Sequence, residues 1–323
     1  MKTSVERIKH GNGFRYIHGG KKVDKATVAR ISSLAIPPAW TNVEIAKNEH
    51  DKVQATGYDA KGKKQYIYSK THSEKQEAAK FDRITEFASN LPRLRKQVEK
   101  DLKRRRFDKK KVVAAAVSLM DEGYFRVGNQ AYARANKSYG LTTLRSKHVE
   151  IKGQKIIFDF VGKSGQEHHK VIKDSTIARV VAQLDDMPGY ELFRYYDKQM
   201  NLHNLTSGDV NEYIKTHMGG DYSAKDFRTW GGTMLAAVEL ARQTRPETKT
   251  ARKKAMTACI KRVAKKLGNT PAIAKSSYID PRIFNTYDSS DGINDVYETV
   301  KNIKPRKYLS TDEYWVVKLL SKS

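Results

Sequence analysis

Apolar residues along this chain change spacing several times, and each change marks a new element. Between Lys25 and Leu34 they recur at Val28, Ile31 and Leu34, a short helical pattern. Ile36-Pro37-Pro38-Ala39-Trp40 ends it, because paired prolines force an extended or turning backbone. Three strand-like runs follow, Asn42 to Ala46, Lys52 to Thr56 and Gln65 to Tyr68. The last two flank the turn cluster Gly57-Tyr58-Asp59-Ala60-Lys61-Gly62. Ser73 to Asn90 predicts a highly charged helix, a linker as well as a first helix, and Pro92 predicts the opening of another. Lys109 to Glu122 carries an apolar face. Lys155 to Val161 then reads as a strand, Gly162-Lys163-Ser164-Gly165 as a tight turn, and Gln166 to Ile172 as the returning strand. Helical spacing resumes from Asp174 to Asp186, with Ile177, Val180, Val181 and Leu184 on one stripe. Ser223-Ala-Lys-Asp226 is a capping-box-like start. The helix after it lays Phe227, Trp230, Met234, Val238 and Ala241 along one face. Thr248 to Leu267 predicts a further helix, with Ala251, Ala255, Cys259, Val263 and Leu267 four residues apart and basic residues elsewhere. A last helix is expected near Thr311 to Leu320.

The pattern describes an α+β chain. Residues 1–75 are expected to form a small, mainly β domain, and residues 76–323 a larger, mainly α domain carrying one β-hairpin. A length of 323 residues suffices for two modest cores. No internal repeat is visible.

Charge changes the picture. Lysine and arginine outnumber acids 62 to 36, a formal net charge of +26, and they are spread through folded segments. Such a surface attracts polyanions, of which nucleic acid is the commonest. The single cysteine, Cys259, excludes a disulfide framework and suits a reducing compartment. The N-terminus has no apolar run, and the longest one, Val112 to Met120, is too short to span a bilayer. An intracellular protein is expected, cytoplasmic and associated with the nucleoid if the source is a bacterium.

Candidate chemistry begins at Leu267 to Pro281. Gly268 and Pro271 interrupt a basic helix there, and Tyr278 follows two serines. With 17 tyrosines in the chain, a buried tyrosine in a helix–loop–helix connection is the plain reading. Lys163 at a hairpin tip is ordinarily just solvated, and Arg228 in the first turns of a helix is ordinarily on the surface. Their combination is what stands out. Arg126 in Phe-Arg-Val-Gly, Lys163 in Phe-Val-Gly-Lys-Ser, Arg228 in Lys-Asp-Phe-Arg-Thr-Trp and Tyr278 in Ser-Ser-Tyr-Ile-Asp-Pro together resemble the type IB DNA topoisomerases. The likeness is greatest to the short bacterial and poxvirus-type enzymes. Each motif is weak alone, whereas four in this order on the expected elements are specific. Ile36 to Trp40 and Gln54 to Tyr68 resemble the family's N-terminal domain, and residues 80–290 its catalytic domain.

The resemblance implies a monomer that clamps double-stranded DNA, cuts one strand through Tyr278, lets the duplex rotate and reseals it. It implies no cofactor, metal or ATP. The residue types fit that chemistry. A phenol of pKa about 10 is a poor nucleophile. Phosphoryl transfer needs in-line attack and neutralised non-bridging oxygens. Without carboxylate, histidine or cysteine clusters at metal-ligand spacing, guanidinium groups must serve, and Arg126 and Arg228 can each grip two phosphate oxygens. Lys163 would protonate the leaving 5′ oxygen as general acid. Nine residues before the tyrosine the sequence has Asn269, where poxvirus and nuclear enzymes carry histidine and bacterial relatives asparagine. Its amide can donate a hydrogen bond to a phosphate oxygen and cannot act as acid or base. DNA contacts by Tyr66, Tyr68 and Arg83 are a looser implication, and for the two tyrosines ordinary hairpin packing is the alternative. Two rival readings remain. A tyrosine recombinase shares the chemistry, but carries His-x-x-Arg where this chain has Lys225-Asp-Phe-Arg228, and has a helical N-terminal domain. A non-catalytic architectural DNA-binding protein fits the charge and gives no reason for the tyrosine, arginines and lysine.

Overall fold

The start of the chain builds one antiparallel sheet. The computed structural model describes residues 4–289, 293, 297–298 and 303–322. It divides into a unit of Met1–Asp82 and a unit of Arg83–Ser323. In the first, strands β1 (Ser4–His10), β2 (Gly13–His18), β3 (Lys21–Lys22), β4 (Thr41–Ala46), β5 (Val53–Tyr58) and β6 (Lys64–Tyr68) lie in the order β3-β2-β1-β4-β5-β6. Helix α1 (Lys25–Ser33) is capped by Asp24, whose carboxylate accepts from the Thr27 amide at 2.7 Å. It buries Ile31 with Val5, Val43, Ile45 and Ala55. On β6 the core takes Ile67, so Tyr66 and Tyr68 face outward, 48% and 44% exposed. The sequence pattern predicts nothing before Lys25, yet β1 to β3 are there. In β1 Val5 is the only buried residue, so sheet pairing holds this segment more than apolar content does.

Helix α2 (Lys70–Leu102) crosses the unit boundary and runs unbroken through Pro92, correcting the expectation of a new helix there. Proline inside a helix costs ~3 kcal/mol. The stripe Ile84, Phe87, Leu91, Leu94 and Val98 is buried on both sides of it, and each large apolar side chain contributes ~1.5–3 kcal/mol. Packing therefore outweighs propensity.

In the second unit the α-helices and strands given by the described residues are α3 (Lys109–Gly123), α4 (Gln130–Asn136), β7 (Val149–Lys152), β8 (Lys155–Val161), β9 (Glu167–Lys173), α5 (Ser175–Asp185), β10 (Arg194–Tyr196), β11 (Leu202–Asn204), α6 (Ser207–Met218), α7 (Ala224–Ala241), α8 (Lys249–Leu267), α9 (Pro271–Tyr278), α10 (Pro281–Asp288) and α11 (Thr311–Lys322). Strands β7, β8 and β9 form a three-stranded antiparallel sheet, one strand more than the predicted hairpin. Helix α3 is buried nearly all round, from Val112 to Met120, and α7 buries Phe227, Trp230, Ala236, Ala237 and Leu240. These two helices form the middle of the unit. Arg95 on α2 ties the bundle together, its guanidinium donating to Asp121 on α3 and Glu313 on α11 at 2.6–2.9 Å. Among the described residues no helix is long and apolar enough to cross a membrane.

Candidate active site

Tyr278 is placed by a sharp break between two helices. Gly268 caps α8 in the left-handed conformation (φ 63°), and its amide bonds back to Ala264 and Lys265. Thr270 then caps α9, with Pro271 in its first turn. The tyrosine is the last residue of that short helix; the expected loop lies before it. Gly232 on α7 lets the backbone of Tyr278 come close: a Cβ there would sit 2.5 Å from the Tyr278 carbonyl oxygen. Thr233 fixes the same segment, donating to that oxygen at 3.4 Å and accepting from the Asp280 amide at 3.0 Å.

One helical turn before Gly232, Arg228 is buried, 3% exposed, contrary to the surface position usual for its place in a helix. Its guanidinium lies 4.9 Å from the centre of the Tyr278 ring. It donates to Tyr124 O at 2.5 Å and to Leu267 O at 2.9 Å, while its Nε is buried without a partner. Arg126 sits in an extended segment pinned by the Leu141 amide, which donates to Arg126 O at 2.8 Å. Its guanidinium donates to Gly268 O at 3.1 Å and to Asn269 Oδ1. Because arginine can only donate, the Asn269 amide is oriented with its oxygen toward Arg126. Its Nδ2 is left buried and unpartnered. One orphaned donor, on Arg228, thus lies beside the phenol, and a second, on Asn269, beside Arg126.

Electrostatics follow from this crowding. Burial and the neighbouring Arg126 push Arg228 down to about 10. Burial also lowers Arg126. For Tyr278, burial acts upward, but the charges of Arg228, Arg126 and Lys225 outweigh it and hold the phenol below its ordinary value. The site has the complement of a tetrahedral anion, fixed positive charge and free N–H donors, beside a phenol held below its ordinary pKa.

Lys163 stands apart from this cluster, exposed on the turn between β8 and β9, where Ser164 and Gly165 both take positive φ. The base of the same hairpin touches the site. His168 on β9 is buried and stacks on Phe160 at 4.9 Å. It is wedged between Gly162 and Gly268, where added Cβ atoms would meet its ring at 2.7 and 2.0 Å. Burial, then Lys170, Arg126 and Arg228, push His168 down to about 4, so it is neutral near pH 7. Neither His168 nor Lys170 stands out in the sequence. The available signal was an inverted alternation on β9, where His168 and Lys170 face inward and Val171 outward.

Of the expected DNA contacts, Tyr66 and Tyr68 lie near-parallel on β6 with ring centres 6.2 Å apart, and Lys64 is 5.8 Å from the Tyr66 ring. Arg83 is engaged within its own unit, donating to Asp226 Oδ1 at 2.7 Å and to Asp221 O at 3.1 Å. Asp226 in turn accepts from the Ser223 amide at 2.8 Å, so Arg83 braces the start of the helix that carries Arg228.

The family described as eukaryotic DNA topoisomerase I, catalytic core, matches residues 68–304, and that described as bacterial DNA topoisomerase IB, N-terminal domain, matches residues 13–59. The chain is 32% identical to DNA topoisomerase 1B of Acanthamoeba polyphaga mimivirus, over 94% of this chain and 96% of that protein. It is 28% identical to DNA topoisomerase 1B of vaccinia virus (strain Copenhagen) and to DNA topoisomerase I of monkeypox virus, over 83% of this chain and 84% of each. Both parts of the sequence match DNA topoisomerase I families, and the chain belongs to the type IB DNA topoisomerases in their short form.

Proposed function

We propose that the protein relaxes supercoiled duplex DNA through a 3′-phosphotyrosyl intermediate at Tyr278, without ATP. The supporting observation is the phenol held beside Arg228 and Arg126 with buried donors to spare. In this reading the Tyr278 oxygen attacks the scissile phosphorus as its proton leaves to solvent, and the 5′ oxygen departs. Arg126, Arg228 and the Asn269 Nδ2 hold the non-bridging oxygens, where charge accumulates. Lys163 delivers a proton to the departing oxygen, which requires the hairpin tip to close over bound DNA. The bond energy stays in the phosphotyrosine, so the reverse reaction reseals the strand after rotation.

The same reading makes the protein a monomeric clamp. Lys61, Lys63 and Lys64, with the outward rings of Tyr66 and Tyr68, would grip the duplex from the first unit, and the basic faces of α8 from the second. In a bacterial cell it would work in the cytoplasm on the nucleoid.

The test is relaxation of a supercoiled plasmid in EDTA without nucleotide. Relaxation by the wild type and none by Tyr278→Phe, with duplex binding retained, is the expected pair. A plasmid left supercoiled by the wild type refutes the function. Covalent adduct formed by the variant would remove Tyr278 as nucleophile.

A further inference from the structure

Two cations bridge the same two helix ends, and a third reaches one of them. Helix α3 stops at Gly123, with Tyr124 left-handed as its cap, and α8 stops at Leu267, with Gly268 as its cap. Carbonyls in a last helical turn have no partner within the helix and carry the negative end of its dipole. Arg228 joins Tyr124 O to Leu267 O. Arg126 reaches Gly268 O, the next carbonyl along. On the other side of Arg228, the ammonium of Lys170 donates to Gly123 O at 2.7 Å and to Lys266 O at 3.2 Å, with the Phe125 ring centre at 5.4 Å. Carbonyls 266, 267 and 268 are thus taken in sequence by Lys170, Arg228 and Arg126. Lys170 also belongs to β9, the strand that returns from the Lys163 turn.

We propose that Lys170 is a positioning residue of the cleavage site, a clip that sets the separation of the α3 and α8 ends and thereby the placing of Arg126, Arg228 and Asn269 around the phosphate. The proposal rests on the strand-cleavage reading above. Lys170 is not a substrate contact in this role, because both its bonds go to main-chain oxygens inside the fold. It also holds its place at a cost. Burial and then Arg228, Arg126 and Lys266 lower it to about 8, so a group pushed toward neutrality is kept where two carbonyls can use its charge.

The experiment measures single-turnover formation of the covalent adduct and DNA affinity for the full-length wild type, Lys170→Met and Lys170→Arg. Methionine keeps the stem against Phe125 and removes both bonds. A displacement of the arginines on the order of 1 Å predicts a fall of roughly 10- to 100-fold in the adduct rate. The dissociation constant for duplex should change less than about threefold, since a positioning residue acts on the reaction more than on binding. Lys170→Arg, able to span the same two carbonyls, should recover most of the rate. A substrate with sulfur in place of the 5′ bridging oxygen should be slowed by the same factor, because the lost interaction concerns the non-bridging oxygens. An unchanged rate in Lys170→Met overturns the proposal. Slowing confined to the oxygen substrate would make Lys170 a proton donor, and a rate loss matched by affinity loss would make it a DNA contact; either overturns it. If thermal melting shows Lys170→Met unfolded, Lys170→Gln is scored by the same criteria. A wild type that forms no adduct would instead overturn the cleavage reading itself.

Discussion

Replacing Gly232 with alanine should slow cleavage from a buried position whose new Cβ would meet main chain and a leucine and no ionisable group. The new Cβ would lie 2.5 Å from the Tyr278 carbonyl oxygen, 3.1 Å from its carbonyl carbon and 3.2 Å from Leu267 Cδ1. The leucine can yield by a small rotation. The carbonyl cannot, because Thr233 holds it and the following Asp280 amide. Ordinary contact begins at 3.4 Å, so the end of α9 must retreat by about 0.9 Å. A misplacement of about 1 Å at a reacting atom costs on the order of 10²-fold in rate. Overpacking costs ~1–3 kcal/mol, and alanine recovers ~1 kcal/mol over glycine within a helix. The variant should therefore fold, with a melting temperature only slightly lower. The assay is single-turnover adduct formation on a short duplex, resolved by denaturing electrophoresis, beside a binding isotherm. Gly208→Ala is the control, since its Cβ would meet only Thr206 Oγ1, at an ordinary 3.5 Å. A Gly232→Ala rate within about threefold of wild type would show that the α7–α9 contact does not fix the tyrosine, and the argument would fail.

Lys163→Ala should slow cleavage of an ordinary phosphodiester by roughly 10²–10⁴ and slow a 5′-bridging phosphorothiolate far less, because a thiolate leaves unprotonated; equal slowing would remove Lys163 as general acid. Arg95→Met leaves Asp121 and Glu313 without their cation in a half-buried setting, and chemical denaturation should show a loss of ~3–5 kcal/mol. Burial raises the Glu313 carboxyl, but hydrogen bonding and charge from Arg95 bring it below its usual value. Its contribution is therefore present above the unfolded pKa and lost as pH falls through the folded one; Arg95→Met should flatten acid unfolding there, and an unaltered acid limb would contradict this. DNA affinity should fall with salt at a log–log slope on the order of −5 for about six neutralised phosphates. Changing Lys61, Lys63 and Lys64 to alanine should flatten the slope, and an unchanged slope would take the first unit off the DNA.

Periodicity made most of the frame legible. The β8–β9 hairpin, α5, α7 and α8 fall within a residue or two of their expected limits, since each has a burial stripe of four or more residues or a capping residue at its start. Strand β1 was hidden because partners on both sides hold it, a long-range fact absent from its own composition. Pro92 misled for the opposite reason: a strong local signal was overridden by a buried face that continues past it. At the site, residue types pointed to Arg126, Arg228 and Tyr278. Spacing could not say that Arg228 is buried, because its partners are main-chain oxygens 104 and 39 residues away. Lys170 has main-chain partners of the same long-range kind, and only the inverted alternation of β9 marks it in the sequence.

Main-chain counter-charge bears on how this site can vary over evolutionary time. Apart from the Asn269 side chain on Arg126, the partners of Arg126, Arg228 and Lys170 are main-chain carbonyl oxygens, which every residue supplies whatever its side chain. No single codon change at positions 123, 124, 266 or 267 can delete that negative charge, whereas an acidic side chain in the same place could be lost in one step. Drift around the arginines is buffered as long as the backbone path is kept. Vulnerability lies instead where that path needs a particular residue, as at Gly123, Gly232 and Gly268, whose added Cβ atoms would clash.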